Sequence, residues 1–346
     1  MLVGMTVQVQ SLAGRAAGVR GPGALRLAVC AATAAACAPY LCIKIAWLSG
    51  STVGWNDAAE AENSVLYVGN AITMGMDAAA VLVACAFTFP WGRRVPAWLV
   101  LLPIWVATGL LVPIALAVPL GTLVQTLASA EPLTGSDNGL QGWVYGIVYT
   151  GFTLQGIGLL TAFVLYARER WPEVFALRTA DVPAGPTRPL QVLLARGATV
   201  PAAVCAAVHL FWAFGGTAGL PHDQAVARTA PQQVLDGVWA LLSLAGAAGL
   251  LALTGRARRP ARFVVPLAAA WIGAGAMFAW SLYGLVVMLA ASKALGADAA
   301  PGSGLVALGG VLTGLVVALT GAFLLAEHGG ARRADQIARP MASSSP

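Results

Sequence analysis

Eight stretches of this chain each run for about 20 residues or more with almost no charge, and that pattern alone leaves few folds open. They cover 25–48, 64–90, 96–120, 140–167, 198–220, 234–254, 263–291 and 304–326. A helix needs about 20 apolar residues to cross a hydrocarbon core of ~30 Å. In lipid, only helices and closed barrels satisfy every backbone polar group. Charged residues make up 10% of the chain, against roughly 25% in a soluble domain. The reading is an all-α polytopic membrane protein with eight transmembrane helices.

Sidedness follows from the arginines. All but three of the 20 basic residues (Lys44, Arg228 and Lys293) precede or open the first span, or lie in alternate connections or in the C-terminal tail. Cytoplasmic loops retain Lys and Arg, so a cell-membrane protein with both termini cytoplasmic is expected. The opposite loops carry Asp57, Glu60, Glu62, Glu131, Asp137, Asp223 and Asp298. The net charge of +6 sits in short juxtamembrane clusters without interleaved aromatics. That distribution suits topology and anionic headgroups and argues against nucleic acid as a partner. The expected partners are the lipid bilayer and a lipophilic small molecule, with the oligomeric state left open.

A second pattern suggests duplication. Lys44, Trp47 and Gly50 spell K-x-x-W-x-x-G, and His209, Trp212 and Gly215 spell H-x-x-W-x-x-G. The next span of each half carries one carboxylate, Asp77 or Asp236. The span after that carries Trp105-x-x-x-Gly109 or Trp271-x-x-x-Gly275 behind an arginine cluster. Two parallel four-helix repeats are therefore expected, 25–167 and 198–327, related by a pseudo-two-fold axis along the membrane normal. Between them, 168–197 reads as a cytoplasmic hinge whose prolines deny it continuous helix. Residues 1–24 and 328–346 read as cytoplasmic tails. Gly142-x-x-x-Gly146 and Gly310-x-x-x-Gly314 are expected to let helices approach closely.

Ionisable groups at the bilayer centre cost ~2.5–3.5 kcal/mol on insertion scales, so each one needs an account. Lys44, near the outer edge of its span, could snorkel to the headgroups or line a substrate pocket. His209 reads as lying slightly beyond the midplane, as a packed neutral imidazole or a functional group. Asp77, about 24 Å along its helix from Arg93, is too short to reach water without a cavity or a basic partner, and Lys44 and His209 are the available partners. In an apolar pocket its carboxyl would favour the protonated form and could act as a general acid. Asp236 reads as its counterpart or as a carboxylate at a helix start. Glu60 and Glu62 are further candidate acids if the outer loop folds over a cavity. Trp47, Trp105, Trp212, Trp271 and Trp280 either pack the halves together or supply π faces for a cation.

No phosphate loop, dinucleotide fingerprint, nucleophile elbow or H-E-x-x-H motif occurs. The three histidines stand on separate segments. The expected chemistry is acid–base, without metal or cofactor. The five cysteines read as small packing residues inside the spans.

An acid in a dry, tryptophan-lined cavity is what proton-initiated cyclisation requires. In this respect the chain resembles the integral-membrane terpene cyclases of prenylated indole and diketopiperazine pathways in actinobacteria. The resemblance lies in a polytopic architecture rich in Ala, Gly and Leu with acidic residues toward one membrane face. It implies a metal-independent cyclase acting on an isoprenoid, and it carries over no residue assignment. The H-L-F-W-A-F-G-G run from His209 also looks like a signature of small four-span actinobacterial proteins of unassigned role. The competing expectation is a proton-coupled transporter or exporter of a lipophilic compound.

Overall fold

The apolar stretches all become helix in the computed structural model, which describes residues 23–58, 64–128, 139–182, 185–226, 228–255, 262–295 and 301–342. The long helices are α1 (Ala24–Leu48), α2 (Ser64–Thr88), α3 (Ala97–Ala128), α4 (Gly142–Arg170), α6 (Arg188–Ala213), α8 (Ala230–Thr254), α9 (Val264–Leu295) and α10 (Pro301–Ala342). Two short helices, α5 (Pro172–Ala176) and α7 (His222–Val226), lie in the connections. The eight long helices are all long and apolar enough to cross a membrane. Among the described residues, the only non-helical pairing consists of two isolated bridges, Trp55 with Leu140 and Arg178 with Arg262.

Several boundaries differ from expectation. Helix α6 starts at Arg188, inside the expected hinge, because Pro189 falls in its first turn, where a missing N–H costs nothing. It ends at Ala213 rather than 220, because Gly215 follows with φ +91° and stops the helix. His209 therefore sits in the last turns of its helix, not near mid-span. Helix α10 continues to Ala342, through most of the expected C-terminal tail.

The segment after α4 is a strap rather than a free hinge. Trp171 packs against the core that holds Phe87 and Tyr166. Val174, Leu177 and Val182 pack against the core that holds Trp239 and Phe263. The Phe263 amide donates to the Leu177 carbonyl at 2.9 Å, and Arg178 bridges Arg262.

In the first group, α1 packs on α4 and α2, and α3 packs on α4; in the second, α8 packs on α6 and α9, and α10 packs on α9 and α6. The groups meet along α3, which lies against both α9 and α8, whereas α2 barely touches α9. The α3–α9 crossing is set by two glycines. A Cβ on Gly275 would stand 3.0 Å from the Trp105 carbonyl and 3.3 Å from the Gly109 Cα, and one on Gly109 would press into the Gly275 backbone. Two indoles span this crossing: Trp105 Nε1 donates to the Trp271 carbonyl at 3.1 Å, and Trp280 Nε1 to the Leu110 carbonyl at 3.1 Å.

Gly310 and Gly314 do seat α10 closely on α9, against Ser281, Met277, Ala274 and Phe278. Gly146 does not pack α4 in this way, since a Cβ there would meet nothing within 4 Å.

Candidate functional site

The chemistry-bearing side chains converge at the end of the bundle where α1 and α6 finish, and the local cause is the same in both places. Each helix ends on a glycine with positive φ: Gly50 at +89° and Gly215 at +91°, followed four residues later by Gly54 at +82° and Gly219 at +85°. A side chain in this left-handed region costs roughly 1–2 kcal/mol. The returning loop is then held by the motif tryptophan. Trp47 Nε1 donates to the Val53 carbonyl at 2.7 Å, and Trp212 Nε1 to the Ala218 carbonyl at 3.0 Å. The loop also pairs with the start of the fourth helix of its group. Gln141 N donates to the Gly54 carbonyl at 2.7 Å, and Ser303 N to the Gly219 carbonyl at 3.0 Å. The tryptophan and glycine of each motif thus build a helix exit.

The basic residue of each motif reaches the carboxylate of the following helix. Lys44 Nζ lies 2.8 Å from Asp77 Oδ2, with Lys44 fully buried and Asp77 4% exposed. Side chains lean toward the N-terminus of their helix, so those of the consecutive helices α1 and α2 approach each other. The ammonium also stands 3.8 Å from the Tyr40 ring centroid. Lys44 is therefore an interior cation rather than a snorkelling one. Of the two partners the sequence offered Asp77, the structure selects Lys44, rather than leaving the carboxyl alone in an apolar pocket.

His209 pairs with Asp236, and not with Asp77. Its Nδ1 lies 2.7 Å from Asp236 Oδ1, and Arg228 from the loop before α8 holds Asp236 Oδ2. Arg228 Nη2 also donates to the Trp212 carbonyl at 3.0 Å. The imidazole lies between Trp239, at 3.9 Å centroid separation, and Trp212, edge-on at 4.9 Å. The His209 and Asp236 side chains are 17% and 16% exposed.

Beside the Lys44–Asp77 pair lies a group of phenols that the sequence reading passed over. Tyr40 on α1 hydrogen-bonds to Thr73 on α2 and lies within electrostatic range of Asp77, of Tyr149 on α4 and of Tyr283 on α9. Tyr149 and Tyr283 are 43% and 47% exposed. Phenols from α1, α4 and α9 thus stand on the same side of the bundle as the pair, two of them partly exposed.

The expected substrate pocket is not assembled as a unit. Trp47 and Trp212 brace the helix exits; Trp105, Trp271 and Trp280 line the α3–α9 crossing. Trp105 stacks on Phe278, Trp271 stacks on Phe163, and Trp280 meets Tyr283 edge-on. Trp280 and Lys44 touch two of the phenols, Tyr283 and Tyr40 respectively. Glu60 and Glu62 lie outside the described residues. Arg228, Trp239 and Tyr40 are the contributors that sequence reasoning missed. Tyr40 and Trp239 carried one signal: each stands one helical turn from an ionisable residue, Lys44 and Asp236 respectively, a spacing that puts both on one face. No group of three or more His, Cys, Asp or Glu side chains able to hold a metal ion occurs among the described residues.

Fold and site together define an all-helical multi-pass membrane protein with two interhelical ion pairs near one end of its bundle. No family model, curated protein or solved structure matches the chain.

Proposed function

We propose that this chain is a duplicated four-helix unit, inserted twice in the same direction in the cell membrane with both termini cytoplasmic. We read it as a proton-coupled exporter of a lipophilic compound. One observation carries this reading: the Lys44–Asp77 salt bridge, buried between two helices with the Tyr40 ring against the ammonium. A pair of opposite charges taken out of water holds only while both are charged, and removing one leaves the other uncompensated. Protonation of Asp77 therefore favours separation of α1 from α2 and admission of water or solute between them. The thin packing of α2 against α3 and α9 makes it the element free to move. A solute with aromatic or cationic character suits the phenol faces.

The test is transport in inverted membrane vesicles energised with a proton gradient, using lipophilic dyes such as ethidium and rhodamine 6G. Dye addition should dissipate the gradient with the native protein and not with Asp77→Asn at equal expression. Folded protein that moves no dye in a gradient-dependent way would overturn the reading.

The second reading is proton-initiated cyclisation of an isoprenoid beside the same salt bridge. It is favoured by the Tyr40 ring, whose face already accepts a cation at 3.8 Å, the geometry a developing carbocation needs. It is disfavoured by the salt bridge, which engages the acid. A cyclase would yield a product of unchanged mass from prenylated aromatic substrates in detergent, where an exporter yields none.

A further inference from the structure

At the opposite end of the bundle from the ion pairs, the strap and the start of α9 form a hollow of about 420 Å³ lined by Phe175, Ala176, Arg178 and Arg262. Arg178 and Arg262 face each other across an antiparallel bridge. The Phe263 amide bonds to the Leu177 carbonyl, so the flanking residues make the hydrogen bond and the arginines occupy the narrow pair. In that pairing the Cα atoms stand ~4.5 Å apart with both side chains on one face. Like charges placed directly opposite destabilise a bridge, and here the backbone sets two arginines opposite each other, both lining the hollow. Among the described residues, neither forms a salt bridge to a carboxylate; the ion pairs at this end join Arg26 and Arg93 to Glu169 instead. Both arginines are exposed, and a guanidinium offers a planar fork of donors suited to phosphate oxygens.

From this juxtaposition we infer that the Arg178–Arg262 bridge is a binding site for a phosphate ester, with the two guanidiniums on the phosphate and Phe175 against the adjoining apolar part of the ligand. Arg262 lies two residues before the first residue of α9, a candidate membrane span, so an anionic phospholipid meets the site at headgroup depth. A soluble phosphate ester presents the same chemistry from the aqueous side. An anion there cancels the repulsion within the bridge and fastens the strap to α9.

The test uses the full chain in detergent, titrated with short-chain phosphatidylglycerol, short-chain phosphatidylcholine and glycerol 3-phosphate. Native mass spectrometry reports bound ligand, and thermal unfolding reports stabilisation. Phosphatidylglycerol should be retained and raise the melting temperature, while Arg178→Gln/Arg262→Gln should lose affinity by about tenfold or more. Arg262→Gln alone should lose part of it, which keeps the test available if the double variant does not fold. Stabilisation by glycerol 3-phosphate equal to that by phosphatidylglycerol would assign the site to a soluble phosphate ester. Equal retention of phosphatidylcholine, no retention of any phosphate ester, or affinity unchanged in either variant would overturn the inference.

Discussion

The two helix groups carry the same cation–carboxylate arrangement, yet they solve its burial differently. In the first, a long lysine alone neutralises Asp77 and the pair is sealed. In the second, the shorter histidine shares Asp236 with Arg228 from the loop, and the cluster stays partly exposed. The aromatic cover is exchanged as well. Four residues before Lys44 stands Tyr40, and three after Asp77 stands Ala80; four before His209 stands Cys205, and three after Asp236 stands Trp239. The ring over the basic group comes from the first helix in one case and from the second helix in the other. A large residue on one side is matched by a small residue on the other, so both sites fill.

The second helices diverge further along. Ten residues after Asp236 stands Gly246, where a Cβ would sit 2.9 Å from the Gly273 Cα, and α8 is pressed on α9. Ten residues after Asp77 stands Phe87, buried against Phe163 and Tyr166 of α4. Helix α2 accordingly packs more on α4 than on α3, and a Cβ at Gly69 or Gly75 would meet nothing within 4 Å. The most apolar window of α8 is 56% buried and that of α2 33%. Of the two second helices, α8 is therefore the more enclosed and α2 the less.

The largest expected difference lies in the ion pairs. Lys44→Leu strands a buried carboxylate and should destabilise the protein by ~3–5 kcal/mol, whereas Lys44→Leu/Asp77→Leu should recover most of that loss. His209→Leu should cost less, about 1–2 kcal/mol, because Arg228 still neutralises Asp236. Thermal unfolding in detergent compares the three; equal losses from the two single variants would break the distinction between a sealed dyad and a shared one.

Next come the glycines of the second helices. Gly246→Ala forces α8 from α9 and should cost ~1–3 kcal/mol, while Gly75→Ala, in open space, should gain about 0.5–1 kcal/mol from helix propensity. If the same measurement gave equal effects, α2 would be as closely packed in solution as α8. The smallest contrast should be at the helix exits, where Gly50→Ala and Gly215→Ala each lose about 1–2 kcal/mol by the same amount. Unequal melting shifts there would separate two exits that share their backbone geometry.

How much of this the sequence disclosed depends on the range of the interaction involved. The spans were legible because a run of apolar residues is a local property. The motif positions were legible as positions, although His209 lies nearer its helix end than expected. Their pairing was legible in part: Lys44 was one of two partners offered for Asp77, whereas His209 with Asp236 was not foreseen, because pairing depends on how far each side chain reaches between helices. Arg228 was hidden because it acts from a loop with no periodicity, and the phenols because Tyr40, Tyr149 and Tyr283 come from helices far apart in the chain. Trp47 and Trp212 were singled out as packing or pocket residues, and their role at the helix exits was missed because a bond from an indole to a carbonyl six residues on leaves no mark in the sequence.

The strap carries a consequence for how the polypeptide can be divided. Trp171 belongs to one core and Val174 to the other, so the seam between the halves falls within α5, close to its start, not midway between α4 and α6. A gene split just after Trp171, its pieces translated separately, would leave each product with its own anchoring residues and let the pair reassemble. A split near the following prolines would instead hand the first product an apolar segment that belongs against the second.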